Sequence, residues 1–353
     1  MAKVLVAGGA GYIGGAVTQY LLAKGIPFTV YDNLLYEPHY LKEVDFIFGD
    51  VRDTVKLKRI LPRYTHVVWL AAIVGDGACE VNSDLTTSVN QDAVEWLAEN
   101  FAGRIIFTST CSVYGHNPEE VDEHSSLNPL SHYARTKVKA EQFLNCENSL
   151  IFRLGTAFGI SDTYARPRMD LVANQMAVAA LTRGELRVNG GSQWRPLIHV
   201  NDIALAIVHN LERPVRGIYN LASFNIQIAD LAESIRCATN CKVTYASIGQ
   251  DQRDYRVNLS KALRDEIFSP SRVHSIGDSV RQFASLIRSG RVKHTENEAY
   301  FNVRYIGKLK TAGELAEKFP DLQLVPANGH GHGLDSNGNG HGFTVDVALP
   351  EAA

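Results

Sequence analysis

Gly8, Gly11 and Gly14 stand three residues apart, between a short apolar run at 3–7 and a stretch at 12–23 whose apolar residues recur with helical spacing. That arrangement leaves few folds open to the chain. Glycines so placed permit a tight strand-to-helix turn, close packing of helix on strand, and close approach of the backbone to a pyrophosphate at the helix N-terminus. The spacing is G-x-x-G-x-x-G rather than the commoner G-x-G-x-x-G, and the physics is the same. A second apolar run, 28–31, ends at Asp32. A carboxylate there accepts hydrogen bonds from the adenosine ribose and repels the 2′-phosphate of NADP. Asn33, Leu34 and Leu35 follow, with no cation beside the carboxylate. The expected cofactor is therefore NAD.

Further short apolar runs at 67–70, 105–107 and 150–152 alternate with amphipathic stretches. Such βαβ alternation predicts a doubly wound parallel sheet, the Rossmann arrangement, with ligands in the crevice beyond the carboxyl ends of its strands. At 353 residues the chain can hold a large core and a second lobe. The pattern changes past Gly159. The expected organisation is an NAD-binding domain at 1–160, completed by about 197–222, and a smaller α/β substrate-binding lobe at 161–196 and 223–325. Residues 326–353 would be a tail, since 327–342 is rich in Gly, Asn and His and has no apolar periodicity.

Composition removes several function classes. A formal charge of -3 gives no reason to invoke nucleic acid or an acidic membrane surface. No apolar run is long enough to span a bilayer, and Met1-Ala2-Lys3 leads straight into the first strand, so neither a membrane segment nor a leader is expected. Five cysteines without framework spacing suggest reduced thiols in a cytoplasmic protein. Cys237 and Cys241 have no matching Cys or His cluster and read as structural, with no metal.

Tyr133 and Lys137, four residues apart, fall about one turn apart on one helix face. The ammonium favours the phenolate, so a phenol that ordinarily titrates near 10 acts as a base closer to neutrality. Behind a glycine-rich strand-to-helix turn, this pair points to nicotinamide-dependent redox chemistry.

With these motifs the chain resembles the extended short-chain dehydrogenase/reductase family, in its nucleotide-sugar epimerase/dehydratase branch, from Val4 to roughly Lys310. Phe48-Gly49-Asp50-Val51-Arg52-Asp53 is similar to the family's segment after the third strand, and Trp69-Leu70-Ala71-Ala72 to the turn after the fourth. Phe107 through Gly115 resembles the fifth strand and its active-site loop, and Ser131-His132-Tyr133 the start of the catalytic helix. The resemblance implies NAD contacts from Gly8, Gly11, Tyr12, Ile13, Gly14, Asp32, Asn33, Asp50, Val51, Ala71 and Ala72, together with Tyr133 and Lys137. Tyr133 would exchange a proton with a sugar hydroxyl while Lys137 holds the nicotinamide ribose. Register against Val113-Tyr114-Gly115 selects Thr110 as the hydroxyl that shares the same sugar oxygen.

The 4,6-dehydratases of this family resemble Thr-Asp-Glu at that site, whereas Cys111 and Ser112 follow Thr110 here. Neither can act as a carboxylic acid, so dehydration is not expected. Trp194 through Asp202 is similar to the family's R-x-x-I-H-V-x-D segment, whose arginine, here Arg195, grips the diphosphate; Arg253 resembles the second such arginine and Asn174 an asparagine that touches the same group. The 71–79 segment departs from many galactose epimerases, and its Asp76 is placed to meet a sugar hydroxyl; Arg166 and Arg168 are candidates to flank the base or phosphates. The expected activity is an NAD-dependent nucleotide-sugar epimerase working through a transient keto-sugar at C4, in a homodimer. A net 4-dehydrogenase or 4-ketoreductase, and a non-catalytic NAD-binding sensor, are the alternatives; intact Thr110, Tyr133 and Lys137 argue against the sensor.

Overall fold

The computed structural model describes residues 2–144, 147–246, 253–268 and 273–319; the tail expected at 326–353 lies outside them. Seven parallel strands form the main sheet: β1 (Val4–Ala7), β2 (Phe28–Asp32), β3 (Phe46–Phe48), β4 (His66–Trp69), β5 (Arg104–Thr110), β7 (Ser149–Leu154) and β11 (Gly217–Leu221). Their order is β3-β2-β1-β4-β5-β7-β11, so the chain reverses direction across the sheet between β1 and β4. A ligand crevice is expected there.

Register explains the two cores. One row across the sheet reads Tyr31, Ala7, Trp69, Phe107 and Ile151, and all five lie in one buried cluster. The next row, Val6, Val68, Ile106 and Leu150, points to the opposite face, as a period of two requires. The first face is covered by α2 (Thr54–Ile60), α3 (Asp76–Val81), α4 (Ser83–Thr87), α5 (Ala93–Asn100) and α6 (His132–Phe143). The second carries α1 (Tyr12–Ala23) and α8 (Val200–His209), packed on each other. Gly14 lets α1 lie against the glycine turn and Gly15 against Ser161, Asp162 and Ala165, while Ala16 and Val17 are buried in the second core.

The second lobe has three small sheets. β8 (Thr156–Phe158), β10 (Trp194–His199) and β12 (Phe224–Gln227) form one; β9 (Glu185–Asn189) with β13 (Lys242–Ala246), and β6 (His116–Val121) with β14 (Asp254–Val257), form the others. Around them pack α7 (Val172–Arg183), α9 (Ile228–Thr239) and α11 (Ile276–Arg288), burying Phe158, Leu186, Leu231 and Phe283. Of the 197–222 segment, α8 and β11 join the first domain, while 197–199 pairs with β8 inside the second lobe's sheet. α10 (Ser260–Arg264) packs beside β11. The last helices, α12 (Asn302–Thr311) and α13 (Glu314–Lys318), return to the first core through Ile306, Leu309 and Leu315, followed by Phe319. α12 lies on α3, with Val303 against Gly77.

Among the described residues no helix is long and apolar enough to cross a membrane, and no group of three or more His, Cys, Asp or Glu is placed to hold a metal ion.

Candidate active site

At the end of β1, Gly8 adopts φ +79°, and a Cβ there would stand 2.5 Å from the Ala71 amide nitrogen. Only glycine lets this turn lie against the one following β4. A Cβ at Gly14 would stand 2.4 Å from the Gly8 carbonyl oxygen, so the second required glycine sets the helix onto the turn. Gly11 is the N-cap of α1 and supplies no side-chain cap, and the first turn holds no acidic residue. The helix N-terminus thus presents its amides in the way an anion site requires. Asp32 Oδ2 accepts from the Ala10 amide at 3.0 Å and Oδ1 from the Leu34 amide at 2.8 Å, while burial raises the carboxyl pKa. Asn33 Oδ1 accepts from the Leu35 amide at 3.1 Å. Asp50 is held by a bidentate pair with Arg52, 2.7 Å at its shorter contact, and its carbonyl accepts from Tyr31 Oη at 2.7 Å; Val51 is buried in the core beside it.

Thr110 ends β5, and α6 begins at His132 behind Ser131, whose hydroxyl caps the helix by accepting from the Ala134 amide. The Thr110 side chain lowers the Tyr133 pKa, which places the two hydroxyls near one another, and Thr110 Oγ1 accepts from the Ser112 amide at 3.1 Å. Lys137 donates to the Thr108 carbonyl at 2.9 Å and lies 4.6 Å from the centre of the Phe107 ring. The three sequence-predicted residues therefore converge where β5 meets α6.

Their electrostatics differ from the sequence expectation. Burial raises the Tyr133 pKa, with Cys79 and Asp76 adding to the rise and Arg168 and the Thr110 side chain opposing it. Burial also pushes Lys137 down to about 8. Desolvation outweighs the ammonium here because Lys137 turns its Nζ to the Thr108 carbonyl.

Neighbours that sequence spacing does not reveal complete the site. Asn90, on a wide turn at Ser88–Asp92, forms a two-way clamp with Ile73: it accepts from the Ile73 amide and donates to its carbonyl, both at 2.8 Å. Its amide also reaches Thr136 on α6 at 3.4 Å. Behind Thr110, Glu141 forms a bidentate pair with Arg153 (2.7 Å) and accepts from Ser109; Arg153 donates to Tyr114, which donates to Asn220 at 2.7 Å. Cys111 is buried with its thiol on the Arg153 carbonyl.

Across the cleft, Arg253 Nη1 stands 2.8 Å from Asp76 Oδ2, a pair that joins the second lobe to α3. Arg195 is buried; it donates to the Trp194 carbonyl at 2.7 Å and to the Arg253 carbonyl, and burial lowers its pKa to about 10. Asn174 lies deeper. Its Oδ1 accepts from the Gly159 amide at 2.7 Å, and its Nδ2 donates to the Arg168 carbonyl at 2.8 Å. Arg168 forms a bidentate pair with Asp170, at 2.7 and 3.1 Å.

A parallel sheet with a glycine-turn anion site at its switch point, and a Thr–Tyr–Lys set two strands away, defines a dinucleotide-dependent enzyme class. The chain belongs to the NAD dependent epimerase/dehydratase family, whose model matches residues 4–222. Its cofactor is NAD, and the uncapped α1 N-terminus and the Asp32 carboxylate are the chain's groups that fit it. It is similar to an N-acetyl-alpha-D-glucosaminyl-diphospho-ditrans,octacis-undecaprenol 4-epimerase of Escherichia coli O157:H7, 26% identical over 66% of this chain and 72% of the relative. A UDP-glucose 4-epimerase of Rhizobium meliloti (strain 1021) is 30% identical over 61% of this chain and 74% of its own. Among solved structures, a UDP-N-acetylglucosamine 4-epimerase from Methanobrevibacter ruminantium M1, in complex with UDP-N-acetylmuramic acid, matches with a TM-score of 0.68 and 25% identity, over 80% of this chain and 98% of its own.

Proposed function

We propose that this chain is a nucleotide-sugar epimerase that oxidises a ring hydroxyl, at C4, and re-reduces the ketone from the opposite face. The observation that carries the reading is the convergence of Thr110, at the end of β5, with Tyr133 and Lys137 of α6, Lys137 reaching the Thr108 carbonyl at 2.9 Å. NAD, when bound, takes up and returns the hydride. Tyr133 removes the hydroxyl proton and gives it back, Thr110 holds the same oxygen, and Lys137 holds the nicotinamide ribose. Gly8, Gly11, Tyr12, Ile13 and Gly14 take the pyrophosphate side of the cofactor. Asp32, Asn33, Asp50 and Val51 take its adenosine side, and Ala71 and Ala72 line its path.

Arg195 and Arg253 are assigned to the substrate diphosphate, and Asp76 to the sugar end of the cleft. Asn174 acts as a positioning residue, since its amide holds the Gly159 and Arg168 backbone. Elimination of water is disfavoured by the same geometry: Cys111, directly after Thr110, is buried with its thiol on a backbone carbonyl.

The test is incubation with UDP-, GDP-, dTDP- and CDP-sugars, followed by NADH absorbance and product NMR. Inversion at C4 without accumulating NADH is the expected result. Stoichiometric NADH with a stable keto-sugar would replace this reading with a net dehydrogenase, and loss of the C6 oxygen would replace it with a dehydratase.

A further inference from the structure

Helix α3 carries Asp76, yet its six residues are too few to hold a helix alone, since nucleation fixes several residues for the first hydrogen bond. Its own ends add little. The N-cap is Gly75, at φ +98° and with no side chain to cap, and Asn82 beyond its last residue is extended. Support comes from the far end of the chain. α12 lies along α3, with Val303 against Gly77, and reaches both of its ends. Asn302 Nδ2 donates to the Val74 carbonyl at 3.0 Å ahead of the helix, and Lys310 Nζ donates to the Val81 carbonyl at 2.6 Å at its finish. The neighbouring Ile73 is already held at its amide and its carbonyl by Asn90.

Asn302 has a second set of partners, in the other lobe. Its backbone amide donates to Asp170 Oδ2 at 2.9 Å, and its Oδ1 accepts from the Arg166 guanidinium, which also donates to the Ala299 carbonyl at 2.6 Å. The Met169 amide donates to the Tyr300 carbonyl at 2.9 Å, and Asp170 is the partner of Arg168. At 1% exposure Asn302 is closed to water, which therefore does not compete for these bonds. Its side chain must donate to a carbonyl and accept from a guanidinium at once, and a carboxylate can only accept. One buried amide thus fixes the spacing between the turn ahead of α3, in the first domain, and the 166–170 segment of the second lobe. Asp76, two residues past Val74, is paired across the cleft with Arg253.

We propose that Asn302 is a positioning residue of the cleft: through the Val74 carbonyl it holds α3 against the 166–170 segment, and so sets where Asp76 stands towards the substrate. It acts through Asp76 and makes no catalytic contact of its own. The hold on α3 stands on the contacts above, and its effect on substrate rests on the reading that puts Asp76 at the sugar end of the cleft.

The experiment compares wild type, Asn302→Asp, Asp76→Asn and the double variant, all as full chains. Asn302→Asp keeps the size of the side chain and its acceptor for Arg166, and sets a carboxylate oxygen against the Val74 carbonyl. Hydrogen exchange without substrate should speed about tenfold across 76–81 and keep wild-type rates in α1, the scale of one buried hydrogen bond left unmade. With the nucleotide sugar that the chain turns over, Asn302→Asp should raise KM about tenfold and leave kcat within about threefold. In the Asp76→Asn background the same change should move KM by less than about twofold, because two residues that act through one contact are not additive. An equal rise in KM in both backgrounds marks a general loosening of the fold and would overturn the proposal. So would wild-type exchange rates across α3 in Asn302→Asp, or a KM at or below the wild-type value. If Asn302→Asp does not fold, Lys310→Met, a change at an exposed side chain, carries the test from the other end of α3. Exchange there should speed about threefold, with KM rising only where Asp76 is present, and unchanged exchange would overturn the proposal. Faster exchange of α3 in a protein that turns over no nucleotide sugar and binds no nucleoside diphosphate would overturn the proposed substrate and leave the hold on α3 standing.

Discussion

Tyr133 and Lys137 carry the chemistry at the residue scale, and each has a measurable signature. Replacing Tyr133 by Phe removes only the phenol hydroxyl, whose pKa the Thr110 side chain lowers. Turnover should fall by about 10²–10⁴-fold, the usual cost of losing a general acid–base, while the NAD dissociation constant stays within a few-fold of wild type. A variant retaining a tenth of wild-type turnover would remove Tyr133 from the mechanism. Lys137 is depressed from 10.5 to about 8 by burial, so between those values the unfolded chain binds a proton that the folded chain does not. Stability therefore rises with pH across roughly 8 to 10.5, and the burial penalty is at its full size below 8. Relative to Lys137→Met, the NAD-free wild type should gain roughly 2–3 kcal/mol across that window. Urea denaturation of both proteins at several pH values checks the sign, and parallel curves would show that Lys137 keeps its ordinary pKa.

Glu141 and Arg153 act between elements, because their ion pair ties α6 to β7 directly behind the strand end that bears Thr110. Both side chains are 4% exposed, so Glu141→Ala leaves a buried guanidinium without its main partner and should cost about 3–5 kcal/mol in urea denaturation. Loss of the exposed Glu233–Arg236 pair by Glu233→Ala should leave the midpoint unchanged. The elements themselves were largely legible in the sequence. β1, the glycine turn and α1 could be placed nearly to the residue, because apolar period and glycine spacing are local signals. The convergence of Thr110 with α6 was legible only through motif resemblance. Asn90, Arg52 and Asn302 were not read, because the partners of Asn90 and Asn302 lie 17 and 228 positions away and Arg52 sits in a pair too short-range to stand out. The burial of Tyr133 and Lys137 was illegible for a related reason: spacing shows that a lysine is near, and it does not show that the same helix packing desolvates both groups.

Over the whole molecule, the function depends on how the lobes meet, and Asp76–Arg253 is one of the contacts that join them. Asp76 opens α3 within electrostatic reach of Tyr133, and Arg253 comes from just ahead of β14 in the other lobe. A carboxylate and a phosphate offer a guanidinium the same paired oxygens. If Arg253 grips the substrate diphosphate, the diphosphate has to compete with Asp76 for it, and the two substitutions should have opposite signs. Arg253→Ala should weaken nucleoside diphosphate binding by about 2–3 kcal/mol, the range for a charge-assisted bond left without its partner. Asp76→Asn keeps the side-chain shape and removes the competing charge, so it should bind the same nucleoside diphosphate several-fold more tightly. Both side chains are about 30% exposed, which keeps the exchange with solvent open and limits the effect on folding. Calorimetric titration of UDP, GDP, dTDP and CDP into the three proteins decides the matter. Tighter binding by Asp76→Asn together with weaker binding by Arg253→Ala supports a shared guanidinium. Weaker binding in both variants would mean that the pair shapes the cleft as a unit and that Arg253 does not exchange partners when substrate arrives.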